Sequence, residues 1–259
     1  MTVATAARPS WTARSSGRSA ASRSKSARAL AELRNAVRAG APFTPGTSER
    51  RFVLLGNDLV EAYALPTLLA LLARVAPGVS VSVERADVDF ARRLEDGTAD
   101  FAFVPDFLIS SALHKRTLPP ERFVVLLRAR HPACRRRGQL SLEAYLALGH
   151  LLVAPRGMPG SIVDSALEAL GKRRRVVARI QHFIAAPAIV AASELAVTCP
   201  ASVAAAMARW IKLQQLAPPL ELPIDRTSMV WHPRASDDPG HVWFRAQLDT
   251  ILAELRRPS

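Results

Sequence analysis

The stretch RFVLLGNDLVEAYALPTLLALLARVAPG, residues 51–78, decides the fold class. Its first six residues are a nearly continuous apolar run before a turn, which is typical of a strand buried on both faces. Asp58 follows as the expected N-cap of a helix over about 59–75, which ends at a Pro-Gly pair. The alternating string VSVSVE at 79–84 predicts a second strand. The order strand, helix, strand indicates an α/β fold.

The same alternation continues along the chain. Further predicted strands are DFAFVP, LHKRTL, RFVVLLR, HLLVAP, RRVVARI, LAVTCP and RTSMVWHP, helices fill most of the gaps between them, and a last helix covers about 239–256. The polar segment RARHPACRRRG at 128–138 separates a first unit from a second one. Such alternation favours parallel sheets covered by helices, and ligands of these sheets bind beyond the carboxyl ends of the strands.

The positive charge is concentrated at the beginning of the chain. Residues 1–51 hold ten basic residues against two acidic ones, so +8 of the net +13 lies there and the remaining 208 residues carry +5. Residues 1–25, rich in Arg and Ser, are expected to form a disordered basic tail. The string SARALAELRNAVRA then predicts a short amphipathic helix, assigned to 26–40. An organellar transit peptide is an alternative explanation of this composition.

Several classes of protein are disfavoured by what the sequence lacks. The longest apolar stretch, 59–72, is interrupted by Glu61, and no secretory signal is recognisable, so we expect a cytoplasmic protein without a membrane partner. The two cysteines, Cys134 and Cys199, form neither a disulfide framework nor a metal-ligand spacing. The six histidines show no metal-binding spacing, and no P-loop or GxSxG motif occurs. We therefore expect neither an enzyme nor a bound cofactor or metal.

Six strings in order resemble the effector-binding domain of LysR-type transcriptional regulators, in the subgroup with nodulation and aromatic-degradation regulators. They are RRFVLLGNDLVEAYALPTLLALLARVAPGV, LEDGTADFAFVP, ERFVVLLRARHP, LSLEAYLALGHLLVAPRG, HFIAAPAIVAASELAVTCPASVAA and VWHPRASDDPGHVWFRAQL. The resemblance implies a two-lobed α/β fold like the type 2 periplasmic-binding proteins, with two strands crossing between the lobes as a hinge. Lobe I would comprise 50–125 plus 225–259, lobe II would comprise 126–224, and the helix at 26–40 would be the family's linker helix.

The resemblance also implies partners. A small-molecule effector would lie between the lobes, and the domain would form a side-by-side antiparallel homodimer. Family members place a winged helix-turn-helix of about sixty residues before the linker helix, a size that a folded core requires. Here about 25 residues precede Ser26, with Trp11 as their main large apolar residue. A lost domain, a wrong start site and a frameshift are three explanations, and DNA binding would need a helix-turn-helix from a longer reading frame or a partner subunit.

The resemblance places the candidate ligand contacts at strand ends and helix starts. Helix N-termini present free N–H groups and a partial positive charge, which suits a small organic anion such as an aromatic carboxylate or phenolate. Asn57 stands where the family usually has Ser, and Leu59 where it usually has Tyr, so ligand preference is expected to differ. The full set of expected contacts is Asn57, Asp58, Pro105, Asp106, Arg156, Phe183, Pro200, Ser202, Trp231 and His232.

Structural roles compete with ligand binding at several of these positions. Asp106 has the chemistry of a solvated turn residue, Arg156 of a surface arginine, and Ser202 of a helix cap. Phe183 could belong to an inter-lobe core, and His232 could be a structural hydrogen-bond donor. Two other functions also stay open, namely a solute-binding protein of a transport system and sequence-indifferent DNA binding by the basic arm.

Overall fold

The computed structural model describes residues 42–135, 139–155, 161–208, 210–224 and 226–254. The basic tail at 1–25, the helix expected at 26–40 and Arg156 lie outside these residues.

The described chain forms two mixed sheets, each of five strands. Their orders are β2-β1-β3-β10-β4 and β7-β6-β8-β5-β9. The strands are β1 (Arg51–Gly56), β2 (Ser80–Arg85), β3 (Phe101–Pro105), β4 (His114–Thr117), β5 (Phe123–Arg128), β6 (Gly149–Val153), β7 (Arg175–Ile180), β8 (Leu195–Pro200), β9 (Leu213–Leu216) and β10 (Thr227–Trp231). The α-helices are α1 (Asp58–Tyr63), α2 (Leu65–Val75), α3 (Phe90–Asp96), α4 (Leu142–Ala147), α5 (Ile162–Ala169), α6 (Ala186–Ala191), α7 (Ala201–Met207) and α8 (Pro239–Glu254).

The sheets are only partly parallel, whereas the sequence favoured parallel ones. β1 pairs in parallel with β2 and β3, and β6 pairs in parallel with β7 and β8. In the first sheet, β10 runs antiparallel to β3 and β4, and in the second, β5 runs antiparallel to β8 and β9. The antiparallel pairs arise where the chain enters one sheet from the other, because such a strand arrives without a crossover helix.

Two connections join the sheets. The chain passes from β4 to β5 through residues 118–122 and returns from β9 to β10 through 217–226. We call the unit around the first sheet lobe I (β1–β4, β10, α1–α3 and α8) and the unit around the second sheet lobe II (β5–β9 and α4–α7). β5 joins lobe II from Phe123, a few residues before the change expected at 125/126.

Lobe I buries both faces of its sheet, as the apolar run of β1 predicts. Phe52 and Leu54 point to one face, which α2 and α8 cover, and Phe52 stacks on Phe244 of α8 with ring centroids 3.9 Å apart. Leu55 points to the other face and packs with Leu94 of α3. Alternate side chains of one strand therefore pack into two separate cores, one on each face of the sheet.

Lobe II repeats this arrangement. Leu126 of β5 packs under α6 and α7, and Leu127 packs under α4 and α5. The second of these cores contains a polar network, because the fully buried Tyr145 shares a hydrogen bond of 2.8 Å with Thr198. The short edge strand β9 was not predicted, because its string LQQL lacks the alternation of a half-buried strand.

Two local details differ from the sequence-based expectation. The single helix expected over about 59–75 is two helices, α1 and α2, that meet at Ala64. Pro66 accounts for the break, because its nitrogen cannot donate to the preceding turn and it favours the first turn of a new helix. The cap of α1 is Asn57, whose Oδ1 accepts the N–H of Leu59, and not Asp58, which is the first helical residue.

Two buried histidines make the fold sensitive to acid. His150 and His241 are fully buried, and burial lowers the pKa of each ring to about 4. Each Nε2 donates to a backbone carbonyl, of Tyr145 at 2.9 Å and of Asp100 at 3.1 Å, so a proton on Nδ1 would add a buried charge. These folded-state pKa values lie below the value of about 6.5 in the unfolded chain. Between about pH 4 and pH 6.5 the unfolded chain therefore binds more protons than the folded chain, and acid favours unfolding.

We expect the free energy of unfolding to fall as the pH drops from about 6.5 to 4, by roughly 2–3 kcal/mol for each ring. Urea unfolding at about pH 7 and about pH 4.5 measures this drop. His150→Gln should reduce the drop, even if the variant is less stable at neutral pH. His182→Gln, at an exposed position, should leave it unchanged. An identical drop in wild type and His150→Gln would contradict the assignment.

Candidate functional site

The carboxyl ends of the parallel strands of both sheets face a common seam between the lobes. In lobe I these ends are Gly56 of β1 and Pro105 of β3, and in lobe II they are Val153, Ile180 and Pro200. This is the edge where open α/β sheets bind ligands.

A hydrogen bond crosses the seam at the start of α1. The backbone N–H of Ile184, which follows β7 in lobe II, donates to Oδ2 of Asp58 in lobe I at 2.7 Å. The acceptor is a carboxylate, and such charge-assisted bonds are about twice as strong as neutral ones. Asp58 therefore links the two lobes.

The other carboxylate oxygen of Asp58 is buried without a hydrogen-bond partner. Buried polar atoms are nearly always paired, so this oxygen is an unsatisfied acceptor at the inter-lobe seam.

The free N–H groups of α1 are fewer than its position suggested. The N–H of Leu59 donates to the Asn57 side chain at 3.2 Å, and the N–H of Val60 donates to the Asn57 backbone carbonyl at 3.0 Å. Two acidic residues, Asp58 and Glu61, occupy the first turn. The lobe I side of the seam is thus acidic and its helix start is already capped.

The floor of the seam is apolar. Leu59 of lobe I and Phe183 of lobe II pack on the lobe II core, which includes Cys199 and Val203. Phe183 is half-buried in this contact, so the structure places it where its two expected roles, ligand stacking and inter-lobe packing, overlap.

A second polar position lies where α1 meets α7. Burial raises the pKa of the Tyr63 hydroxyl to about 12, with the nearby Ser202 side chain opposing the rise and Glu121 adding to it. The Tyr63 oxygen is buried, and neither Ser202 nor Ala206 meets hydrogen-bond geometry to it. Ser202 was expected as a ligand contact from the sequence, whereas Tyr63 and Glu121 were not, because only the tertiary fold brings them together.

The neighbouring candidates have structural partners. Pro200 is buried at the end of β8, where it pairs with Phe123 and precedes α7. The Asp106 side chain turns toward its own sheet, accepting from the Ser228 hydroxyl at 2.5 Å and from Lys115 at 3.4 Å. Asp106, which directly follows β3, therefore links this strand to Lys115 of β4 and Ser228 of β10.

Trp231 and His232 lie away from the seam, contrary to expectation. Thr227 at the start of β10 pairs with Pro105, so the end of this antiparallel strand reaches the opposite edge of the sheet. There the Trp231 indole N–H donates to Ser236 at 3.2 Å, and His232 caps the following turn. Trp231 and His232 therefore lie at the edge of the sheet opposite to the one that holds Pro105 and the seam. The sequence-based expectation did not include the direction of β10, which only the tertiary fold reveals.

The described residues contain neither a candidate metal centre nor a membrane-spanning helix. No group of three or more His, Cys, Asp or Glu side chains in this part of the chain could hold a metal ion. None of the described helices is long and apolar enough to cross a membrane.

A model of the LysR substrate binding domain matches residues 46–252. The chain belongs to the LysR substrate-binding domain family. The family expected from the sequence is confirmed, and the two-lobed fold related to type 2 periplasmic-binding proteins is confirmed with it.

Relatives of this LysR domain are transcription regulators. It is 31% identical to the HTH-type transcriptional activator NahR of Pseudomonas putida over 229 residues, which cover 87% of this chain and 75% of NahR. It is 28% identical to Nodulation protein D 2 of Bradyrhizobium diazoefficiens, over 88% of this chain and 68% of that protein. Among solved structures, a probable transcriptional regulator of Pseudomonas aeruginosa, PA0477, is 28% identical with a TM-score of 0.80, over 91% of this chain and 78% of that one.

The bond from Ile184 to Asp58 provides a test of lobe closure in this LysR domain. Asp58→Ala removes the acceptor, and a hydrogen bond to a charged group contributes about 1.5–3 kcal/mol. Hydrogen exchange of the Ile184 amide should therefore become roughly tenfold faster or more. Glu61→Ala removes a carboxylate from the same helix without touching Ile184 and should leave the exchange rate unchanged. Equal protection in Asp58→Ala and wild type would show that the bond does not hold the lobes.

Proposed function

We propose that this LysR domain senses a small organic effector held between its lobes and passes that signal to transcription. The observation that carries the proposal is the seam itself. Asp58 binds across it, and two buried polar atoms, Asp58 Oδ1 and Tyr63 Oη, have no hydrogen-bond partner among the described residues. A guest at the seam would satisfy such atoms and add its own contacts to both lobes.

Two covalent connections join the lobes and allow their arrangement to change. They are residues 118–122 and 217–226, and the Ile184–Asp58 bond is a direct hydrogen bond between the lobe bodies. A ligand that binds the closed form better than the open form shifts the population toward closure. We therefore assign the domain a sensing role rather than a catalytic one, in agreement with its relatives.

We further propose that the domain pairs side by side and antiparallel with a second copy. β2 is one edge strand of the lobe I sheet, and β7 is one edge strand of the lobe II sheet. Exposed apolar side chains occur on β7 and on helices of both lobes, namely Leu69 and Val75 on α2, Leu170 beyond α5, and Val176 and Val177 on β7. A two-fold axis would bring lobe I of one copy against lobe II of the other, so that both apolar edges are covered.

Changes in lobe angle would then change this pair. The two edges of one copy belong to different lobes, so closing the seam moves them relative to each other. We place this assembly in the cytoplasm.

A large side chain in the seam should weaken effector binding. A thermal-shift screen of aromatic and aliphatic acids, amides and alcohols should yield stabilising compounds, since a ligand of the folded state raises its melting temperature. Ser202→Trp, beside Tyr63, should weaken the binding of a confirmed compound by tenfold or more in titration calorimetry. Thr250→Trp, on the exposed side of α8, should bind it like wild type. No stabilising compound, or unchanged binding by a folded Ser202→Trp, would refute the proposal.

A charge at the lobe II edge should break the pair. Val177→Asp places a carboxylate in the proposed contact, and we expect a shift from dimer to monomer in light scattering after size exclusion. Val242→Asp, at a similarly exposed valine on α8, serves as the control and should stay dimeric. A dimer that survives Val177→Asp, or a monomeric wild type, would contradict this arrangement.

A further inference from the structure

The start of α1 is the place where the sequence suggested an anionic ligand group, and its contacts disfavour one. The N–H groups of Leu59 and Val60 are already engaged by Asn57, so they are not available to a ligand carboxylate. The N–H of Ile184 on the facing lobe is engaged as well, by Asp58. These three N–H donors all have acceptors within the chain.

The charges at this end point the same way. Asp58 lies at the seam, and Glu121 lies near Tyr63 and Ser202 where α1 meets α7. A ligand carboxylate brought to Asp58 would meet a like charge in a place with little water to screen it.

The unpartnered atom at this end is an acceptor. An ionised carboxylate offers lone pairs only, and Asp58 uses Oδ2 for Ile184 while Oδ1 is buried and free. A hydroxyl or N–H group satisfies that oxygen, whereas a second carboxylate leaves it unpaired and adds repulsion. A site built around a polar group discriminates strongly against a ligand that lacks the matching partner.

We propose that the effector presents a hydroxyl or N–H donor, not a carboxylate, to Oδ1 of Asp58, and that Asp58 is a specificity-determining residue. This inference rests on the proposed function, because it takes the seam as the effector site. It concerns the end of the ligand that lies against α1. Donation to Oδ1 leaves the Ile184–Asp58 bond intact, so such a ligand adds to lobe closure instead of competing with it.

Pairs of compounds with one skeleton test the inference. We suggest benzoate with benzyl alcohol and benzamide, cinnamate with cinnamyl alcohol, and hexanoate with hexanol, each titrated against the full chain by calorimetry and thermal shift. In each series the alcohol or amide should bind wild type at least tenfold more tightly than the carboxylate.

Asp58→Asn is the decisive variant, because its amide keeps an oxygen for the Ile184 N–H and adds donors that a carboxylate can accept. It should lose the preference for alcohols and gain affinity for the carboxylates by about tenfold, or about 1.4 kcal/mol. Glu61→Gln removes the same charge from an exposed side chain of the same helix and should keep the wild-type order.

The outcomes separate the two ideas. Carboxylates that bind wild type as well as their alcohols do, with no change in Asp58→Asn, would overturn the donor inference while leaving the effector seam in place. Binding that survives Ser202→Trp would overturn the seam as the effector site, whichever group the compound carries. Compounds that bind neither wild type nor Asp58→Asn in any series would count against both.

Discussion

The two lobes of this domain are folded independently around their own sheets, and a charged hydrogen bond from Ile184 to Asp58 fixes how they meet. Each sheet is covered on both faces mainly by helices of its own lobe. Where the lobes meet, Leu59 and Phe183 supply an apolar floor and Asp58 a polar link. Relative motion of two such units is the ordinary expectation unless the interface between them is large and hydrophobic.

Local patterns in the sequence were sufficient for most of the fold. The run at 51–56 predicted β1 because burial on both faces requires apolar residues at successive positions. The alternation at 79–84 predicted β2 because successive side chains of a strand point to opposite faces of the sheet. Strand direction was beyond the reach of such patterns. Whether β10 runs parallel or antiparallel depends on which edge of the sheet the chain enters after lobe II, and this decided the location of Trp231 and His232.

The candidate site was predictable in part. Asn57 and Asp58 were expected as ligand contacts from the family resemblance, and the structure places both at the seam. Their roles were exchanged, since Asn57 caps the helix and Asp58 contacts the other lobe. Ile184 and Tyr63 carry no local signal, because a backbone N–H and a tyrosine become functional only through residues distant in sequence.

The antiparallel return of β10 also sets an order for biosynthesis. Lobe II is one continuous segment from β5 to β9, whereas lobe I needs β10 between β3 and β4 of its sheet and α8 over its core. Arg50, next to the first strand, is held by an ion pair of 2.6 Å to Asp238, 188 residues later. On the ribosome, the inserted lobe can complete its core while the enclosing lobe still lacks one of its inner strands. The apolar surface of β1 and α2 therefore stays uncovered until the last helix emerges. During this period the nascent chain exposes surface that chaperones bind.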